Sequence, residues 1–320
     1  MIIVTGGAGF IGSNIANALI KKEYDIYISD FLDHPIKRLN IKDINIKKII
    51  NPKNLINFIK KHSKDVEIVI HMGAISSTAE KNLKLLLENN LFFSNEIFKV
   101  CEKYSIKLIY ASSAATYGDG SNGFNDNNSL LAFSKLSPIN YYGLSKHLFD
   151  LNILSKRENS KNLRSRPVGL KFFNVFGPNE MHKGFMMSPI PKFYNEIKKE
   201  KKLKLFKSHN ELFKDGMQSR DFIYVKDCIK IILWFIKNKN KTGIFNVGTG
   251  KSESFLKLAE IIFRLMNYEK KIEFIPTPLK IRDGYQYLTK ANIKSLRNIG
   301  YKNKFESLES SVRDYITNYL

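Results

Sequence analysis

Thr5-Gly6-Gly7-Ala8-Gly9-Phe10-Ile11-Gly12 follows the apolar run Met1-Ile2-Ile3-Val4 and opens an apolar-periodic stretch, Phe10–Lys22. A strand that turns through spaced glycines into a helix begins a βαβ unit. Gly6 permits the tight turn, Gly9 lets backbone approach a pyrophosphate, and Gly12 lets helix and strand pack closely. The helix N-terminus then offers unpaired N–H groups and a positive dipole end to phosphate. Asp30 stands 18 residues beyond Gly12, at the end of a second strand, Ile26–Asp30. A carboxylate there can bond an adenosine ribose. Strand, loop, helix, strand and terminal acid occur in order, so the loop reads as a dinucleotide site rather than an empty turn.

Outward from this unit, short apolar strands alternate with helical patterns. Further strands are expected at Val66–His71, Lys107–Ala111, Val168–Phe172 and Ile244–Val247. Helices are expected at Pro52–His62, Glu80–Tyr104 and Asn140–Lys156, with Asn51-Pro52 as a cap and first turn. This predicts an α/β fold, a doubly wound parallel (Rossmann-like) sheet with a smaller C-terminal lobe that binds substrate. The nucleotide domain is expected to span residues 1–173 and to be completed by 210–250. Residues 174–209 and 251–320 would form the lobe. Asn174–Pro189, Ser208–Phe222 and Thr277–Tyr287 read as irregular, and loops on a rigid scaffold carry ligand contacts.

The bulk numbers narrow the function class. The 320 residues are 43% hydrophobic, enough for real burial. No signal-peptide pattern or membrane-length apolar run is visible, so the reading expects a cytoplasmic chain with no membrane partner. Cys101 and Cys228 lie in apolar periodic stretches and read as reduced core residues, and no metal-ligand spacing is seen. The 52 Lys+Arg against 30 Asp+Glu give +22. The lysines are scattered along the chain, without a basic arm interleaved with aromatics, so no nucleic-acid partner is expected. A positive surface still helps attract a polyanionic cofactor and substrate.

Tyr142 and Lys146 lie four residues apart near the start of a helical pattern and so share a face. A phenol with a pKa of about 10 is a poor base at neutral pH; a nearby ammonium favours its phenolate. The same lysine can bond a nicotinamide ribose. Ser113, just past its strand, can bond the reacting oxygen. His71 reads as a structural group, Gly73 and Ala74 as backbone suited to close approach, and Asn89 as a tie between that loop and the cofactor. Asp30 favours NAD, whereas Lys37 and Arg38 can neutralise a 2′-phosphate; these residues leave NAD and NADP both open.

Together these motifs resemble the extended short-chain dehydrogenase/reductase superfamily. Phe173-Asn174-Val175-Phe176-Gly177-Pro178, Ser219–Val225 and Phe245–Gly250 carry the resemblance through the C-terminal half. Ala111–Gly118, His182-Lys183-Gly184, Tyr285-Gln286 and Thr289 narrow it to the ADP-glyceromanno-heptose 6-epimerase family. That resemblance implies bound NADP, a homo-oligomer (a pentamer), and supply of the heptose of the lipopolysaccharide inner core. It implies cofactor contacts at Gly6, Gly9, Phe10, Ile11, Gly12, Asp30, Phe31, Lys37, Lys53, Met72, Gly73, Ala74, Ile75, Ser76, Asn89, Lys146 and Val175. It implies Tyr142 and Lys183 as the paired acid/bases, with Lys146 and Ser113 beside them; a phosphate-binding role for Lys183 stays open. Substrate contacts would fall on Asn174, Phe185, Lys192, Phe206, Lys207, Ser208, His209, Arg220 and Tyr285, with Arg220 gripping the diphosphate.

Some positions depart from the family's pattern. Phe185 stands where serine is common, Lys192 where histidine is common, Phe176 where tyrosine is frequent, and the loop His209–Ser219 is longer. Ala114-Ala115 stands where 4,6-dehydratases carry an acid pair, which sets dehydration aside. A UDP-hexose 4-epimerase is the competing enzyme. A non-catalytic NADP sensor is the competing reading of another class; such proteins usually lose the tyrosine or lysine, and both are present.

Overall fold

The computed structural model describes residues 1–160, 163–282 and 285–320. Strand β1 (Ile2–Thr5) runs into helix α1 (Phe10–Ile20), then β2 (Ile26–Ser29), the short α2 (Pro35–Leu39), β3 (Lys48–Ile50) and α3 (Leu55–Lys61). The second half-unit is β4 (Ile68–His71), α4 (Leu83–Leu86), a π-helical turn Leu87–Phe92, α5 (Phe93–Tyr104) and β5 (Lys107–Ser113). A 3₁₀ turn Ala114–Tyr117, α6 (Leu130–Phe133), α7 (Tyr141–Asn159) and β6 (Val168–Phe172) follow. With β11 (Gly243–Val247) these strands form one seven-stranded sheet, ordered β11-β6-β5-β4-β1-β2-β3 and parallel throughout.

The chain leaves β1 toward one edge and returns through β4 toward the other, so β1 and β4 flank the switch point. Ile2 and Val4 face one buried layer and Ile3 the other, because successive side chains alternate across a strand. Helix α1 and α9 (Val225–Lys237) cover the first face; α3, α5 and α7 cover the second. Burial on both faces is why the strands are largely apolar, with Lys171 of β6 and Asn246 of β11 among the buried exceptions. Among the described residues no helix is long and apolar enough to cross a membrane.

A further apolar cluster joins Phe176, Ile190, Leu203, Leu205, Phe222, Leu258 and Val312, and Phe10 of α1 belongs to it. Three two-stranded sheets frame it. β7 (Asn174–Phe176) pairs with β10 (Phe222–Tyr224), β8 (Leu203–Phe206) with β13 (Ile272–Ile275), and β9 (Ser219–Arg220) with β12 (Glu253–Ser254). Helices α8 (Pro189–Glu200), α10 (Phe255–Leu265) and α13 (Leu308–Tyr319) pack around it, with the short α11 (Leu279–Arg282) and α12 (Lys294–Asn298) between α10 and α13. Leu296 and Tyr301 return to the α1/α9 layer.

Several segments depart from the sequence expectations. The stretch expected as one helix from Glu80 begins at Leu83, where Asn82 accepts from Leu85 N, and is interrupted by the π turn. The segment from Asn174 contains β7 and a 3₁₀ stretch Met181–Met186, and that from Ser208 contains β9 and β10. These strands are two or three residues long, too short for a period-2 signal. Of Thr277–Tyr287, residues 283–284 lie outside the described residues. Cys101 and Cys228 are both free and buried, and burial pushes both thiols up.

Candidate active site

A cavity of about 690 Å³ opens over the C-terminal ends of β1, β4 and β5. Its floor is the glycine loop. Gly6 takes φ +62°, and a Cβ there would meet Gly73 N and Cα at 2.7 Å. The loops after β1 and β4 thus touch backbone to backbone at the switch point, where ligands bind in open α/β sheets. Gly12 serves the loop rather than the strand, since its Cβ would strike the Gly6 carbonyl. Contact with β2 falls instead on Gly7, whose Cβ would meet that of Ile28 at 2.5 Å. Gly9 caps α1 without any side-chain acceptor, and no acid lies in the first turn. The first N–H groups of α1 therefore face the cavity uncapped, which fits a pyrophosphate.

The far end of the cavity is lined by Asp30, Phe31 and Lys37. Asp30 Oδ2 accepts Ala8 N at 2.9 Å and Oδ1 accepts Lys37 Nζ at 3.1 Å. Arg38 turns away and donates to Leu32 O at 3.0 Å. Lys53 does not reach the lining: Pro52 takes that wall, while Lys53 is exposed on a turn whose N–H is capped by Asn51.

The wall from β4 is built by a chain of hydrogen bonds. Thr5 Oγ1 accepts Gly73 N at 3.0 Å, so its proton goes to His71 Nδ1 at 2.6 Å. His71 Nε2 then donates to Ser94 Oγ at 2.9 Å, and Ser94 donates to Asn90 O at 2.7 Å. Burial lowers His71 to about 3, so the ring is neutral and structural. Asn90 is the tie that the sequence reading assigned to Asn89. Its Oδ1 accepts Ile75 N, and its Nδ2 donates to Ile75 O and Ser145 Oγ. Asn89 lines the cavity, with its amide bonded to Leu85 O. The π turn inserts an extra residue and rotates Asn90 inward; a regular 3.6-residue period gives no hint of it.

Ser113, Tyr142 and Lys146 line the cavity together. Asn140 caps α7 by accepting Gly143 N at 2.7 Å, which sets Tyr142 in the first turn. Lys146 is buried and donates to Ala111 O at 3.0 Å. Burial pulls its amine down to about 8, and Asp150 opposes that. The phenol of Tyr142 is pushed up by burial and brought back by a hydrogen bond with the Ser113 hydroxyl. Ser113 Oγ also accepts Ala115 N at 3.1 Å, which directs its proton outward. The sequence reading has Lys146 near the phenol and Ser113 bonding the reacting oxygen. Here the amine sits one turn deeper, against β5, and Ser113 contacts the phenol.

Lys183 reaches the same cavity from the 3₁₀ stretch after β7. Its amine lies 5.4 Å from the Phe10 ring centroid and is lowered by burial, with Lys192 adding to that and Glu180 opposing it. Asparagines rivet this stretch to the nucleotide loop. Asn14 Nδ2 donates to Pro178 O, Asn179 Nδ2 to Ser13 Oγ, and Asn40 Nδ2 to Ala8 O and Asn179 O. Buried Glu180 closes the loop by accepting Gly177 N and both Ser188 N and Oγ. Gly184 adopts φ +53° and ψ −123°, a conformation open to glycine, and so ends the turn after Lys183. Sequence reasoning missed Asn14, Asn40, Asn179 and Glu180; scattered asparagines carry no spacing signal.

The cavity also takes in Gly6, Gly9, Phe10, Ile11, Gly12, Met72, Gly73, Ala74, Ile75, Ser76, Asn174 and Val175. It does not include Phe185, Lys192, Phe206, Lys207, Ser208, His209, Arg220 or Tyr285. Phe185 is 73% exposed, and Lys192 donates to its carbonyl at 2.5 Å. The rest form a second cluster. The Arg220 guanidinium lies 5.4 Å from the Tyr285 ring and 5.5 Å from that of Phe255, and among the described residues it meets no carboxylate. Phe206 packs edge-on to Tyr285 at 6.5 Å. The long loop is ordered by its own contacts: Ser208 N donates to Asp215 at 2.7 Å, Thr277 N to His209 Nε2 at 3.2 Å, and Thr277 Oγ1 to Lys207 O at 2.9 Å. Asn174 of the cavity accepts Thr289 Oγ1 at 3.1 Å, and Thr289 N donates at 3.2 Å to the carbonyl of Ser219, next to Arg220 of the cluster.

Comparison with known proteins agrees with this geometry. The ADP-L-glycero-D-manno-heptose-6-epimerase of Fusobacterium nucleatum is 43% identical, covering 100% of this chain and 98% of that protein. The solved structure of Helicobacter pylori ADP-L-glycero-D-manno-heptose-6-epimerase matches with a TM-score of 0.81 at 27% identity, covering 99% of this chain and 95% of its own. The UDP-N-acetylglucosamine 4-epimerase of Methanobrevibacter ruminantium matches with a TM-score of 0.83 at 28% identity, over 99% and 96%. Residues 2–248 match a family profile described as NAD dependent epimerase/dehydratase, and the chain belongs to that family.

Proposed function

We propose that this chain is an isomerase that inverts C6 of the heptose in ADP-D-glycero-D-manno-heptose to give ADP-L-glycero-D-manno-heptose. The supporting observation is that Tyr142 and Lys183 enter, from separate elements, one cavity that the glycine loop also lines. The full-length relatives named for this reaction favour ADP-heptose over UDP-hexose. When bound, the nicotinamide ring supplies a hydride acceptor that gives the hydride back, so no outside oxidant is needed. Tyr142 removes the C6 hydroxyl proton while Ser113 bonds that oxygen. After the carbonyl turns over, Lys183 gives a proton to the same oxygen from the opposite side. The two residues exchange roles in the reverse direction, and their protons re-equilibrate between turnovers. Lys146 holds the ribose and its charge supports the phenolate.

In this reading the cofactor is NADP, one per subunit, with the 2′-phosphate received by Lys37, which now meets Asp30, Asp33 and the Phe31 carbonyl. The substrate diphosphate is received by Arg220 and the sugar by Asn174 and Tyr285. The oligomer is a pentamer, the compartment is the cytoplasm, and the product feeds lipopolysaccharide inner-core heptose. Purified protein is incubated with ADP-D-glycero-D-manno-heptose and the C6 proton is followed by NMR. Conversion to the L-glycero epimer is expected. Its absence, together with turnover of a UDP-hexose, would overturn the assignment of substrate.

A further inference from the structure

Tyr142, Lys146 and Asp150 stand at i, i+4 and i+8 of α7 and so line one face. Asp150 is fully buried. It accepts the Tyr110 hydroxyl at 3.0 Å and the Ser112 hydroxyl at 2.6 Å, both from β5. Lys171 of β6 meets it at 2.7 Å, with neither side chain exposed. Lys171 also donates to Thr116 Oγ1 at 2.5 Å and lies over the Tyr117 and Phe133 rings. The two β5 residues gripped by Asp150 bracket Ala111, whose carbonyl accepts Lys146, and precede Ser113, which contacts Tyr142.

A buried ion pair is a weak stabiliser, because desolvating both charges offsets most of their attraction, and an apolar pair would serve the fold as well. Its place beneath the site argues for another use. We infer that Asp150, held by Lys171, is a positioning residue: it registers β5 against α7 and sets a negative charge one turn below the Lys146 ammonium. This rests on the reading of Tyr142 and Lys146 as the acid/base pair. The surrounding groups leave Asp150 as the anion that matters. His71 of β4 and His147 of α7 are held neutral by burial, and the phenols of Tyr110 and Tyr117 are pushed up. Arg157 of α7 acts on Tyr110. Asp126 acts on Lys171 and Tyr117, and burial pushes its own carboxyl up.

The test reads Lys146 itself. Lysine labelled at Cε is titrated by NMR in the full chain, with Lys146 assigned by its loss in Lys146→Arg. Wild type is expected to titrate near about 8. In Asp150→Asn/Lys171→Met the amide keeps an acceptor for β5 while the charges vanish. Its midpoint is expected to fall by about half a unit or more. kcat is expected to fall about tenfold with cofactor Kd within about threefold of wild type, and the alkaline limb of the kcat profile to move down with the amine. Lys171→Met alone uncovers the carboxylate and moves the midpoint up. A folded double variant with unchanged midpoint and profile would overturn the inference. So would opposite or absent movement in Lys171→Met, or a wild-type Lys146 titrating as an ordinary lysine. The titration needs no turnover, so a failed substrate assignment leaves this test standing.

Discussion

Lys183 and Tyr142 approach one cavity from separate elements, the 3₁₀ stretch after β7 and the first turn of α7, and each has its own support. For Lys183→Met we expect cofactor affinity to persist while epimerisation falls by about 100-fold or more, the usual worth of a positioned proton carrier. Equilibrium binding and turnover on one preparation separate the two effects; full activity would remove Lys183 from proton transfer. Lys37 tests the cofactor assignment. Lys37→Ala is expected to weaken NADP about tenfold, one charge-assisted contact, and to change NAD little. Equal loss for both cofactors, measured by competition titration, would count against a 2′-phosphate contact. The shared face of Tyr142 and Lys146 was legible from their four-residue spacing, but the glycine loop upstream was needed to make that face a candidate site. The partner of the phenol was not legible from spacing, since Ser113 comes from a strand remote in sequence.

The π turn between α4 and α5 is the element that regular periodicity misreads. It brings Asn90 round to clamp Ile75 and Ser145, and so couples the wall after β4 to the catalytic helix. Asn90→Ala removes three hydrogen bonds from a buried site. We expect a loss of about 1–3 kcal/mol in stability by denaturant titration, with cofactor release faster than wild type. Unchanged cofactor binding would mean that the clamp supports the fold alone. The glycine loop and the long strands announced themselves through period and turn chemistry. β3, β7 and β9 did not, being two or three residues whose pairing is decided by the sheet around them. The rivets Asn14, Asn40 and Asn179 likewise acquire meaning once α1 and the Lys183 turn lie side by side.

Across the whole molecule, burial sets how stability follows acidity. Burial lowers His71 to about 3 and His182 to about 4, so the unfolded chain binds more protons between those values and 6.5. The histidine contribution to stability is therefore full above 6.5 and is lost as pH falls toward 4 and 3. His71→Gln is expected to flatten that acid slope in thermal melts; an unchanged slope would place the loss elsewhere. The doubly wound parallel sheet was legible because short, largely apolar strands alternate with helical patterns; the strand order came with the structure. The packing of Phe10 into the C-terminal cluster was not legible, because one residue serves both layers. That shared residue sits beneath Lys183, which is how the chain brings a second proton carrier to the nucleotide loop. The central claim is that a hydrogen leaves C6 as hydride and returns to the same carbon. Running the epimerisation in D2O and observing C6 by proton NMR tests it directly. The account predicts L-glycero product with protium retained at C6. Deuterium at C6 in the product would contradict it, since the hydrogen would then have exchanged with solvent as a proton.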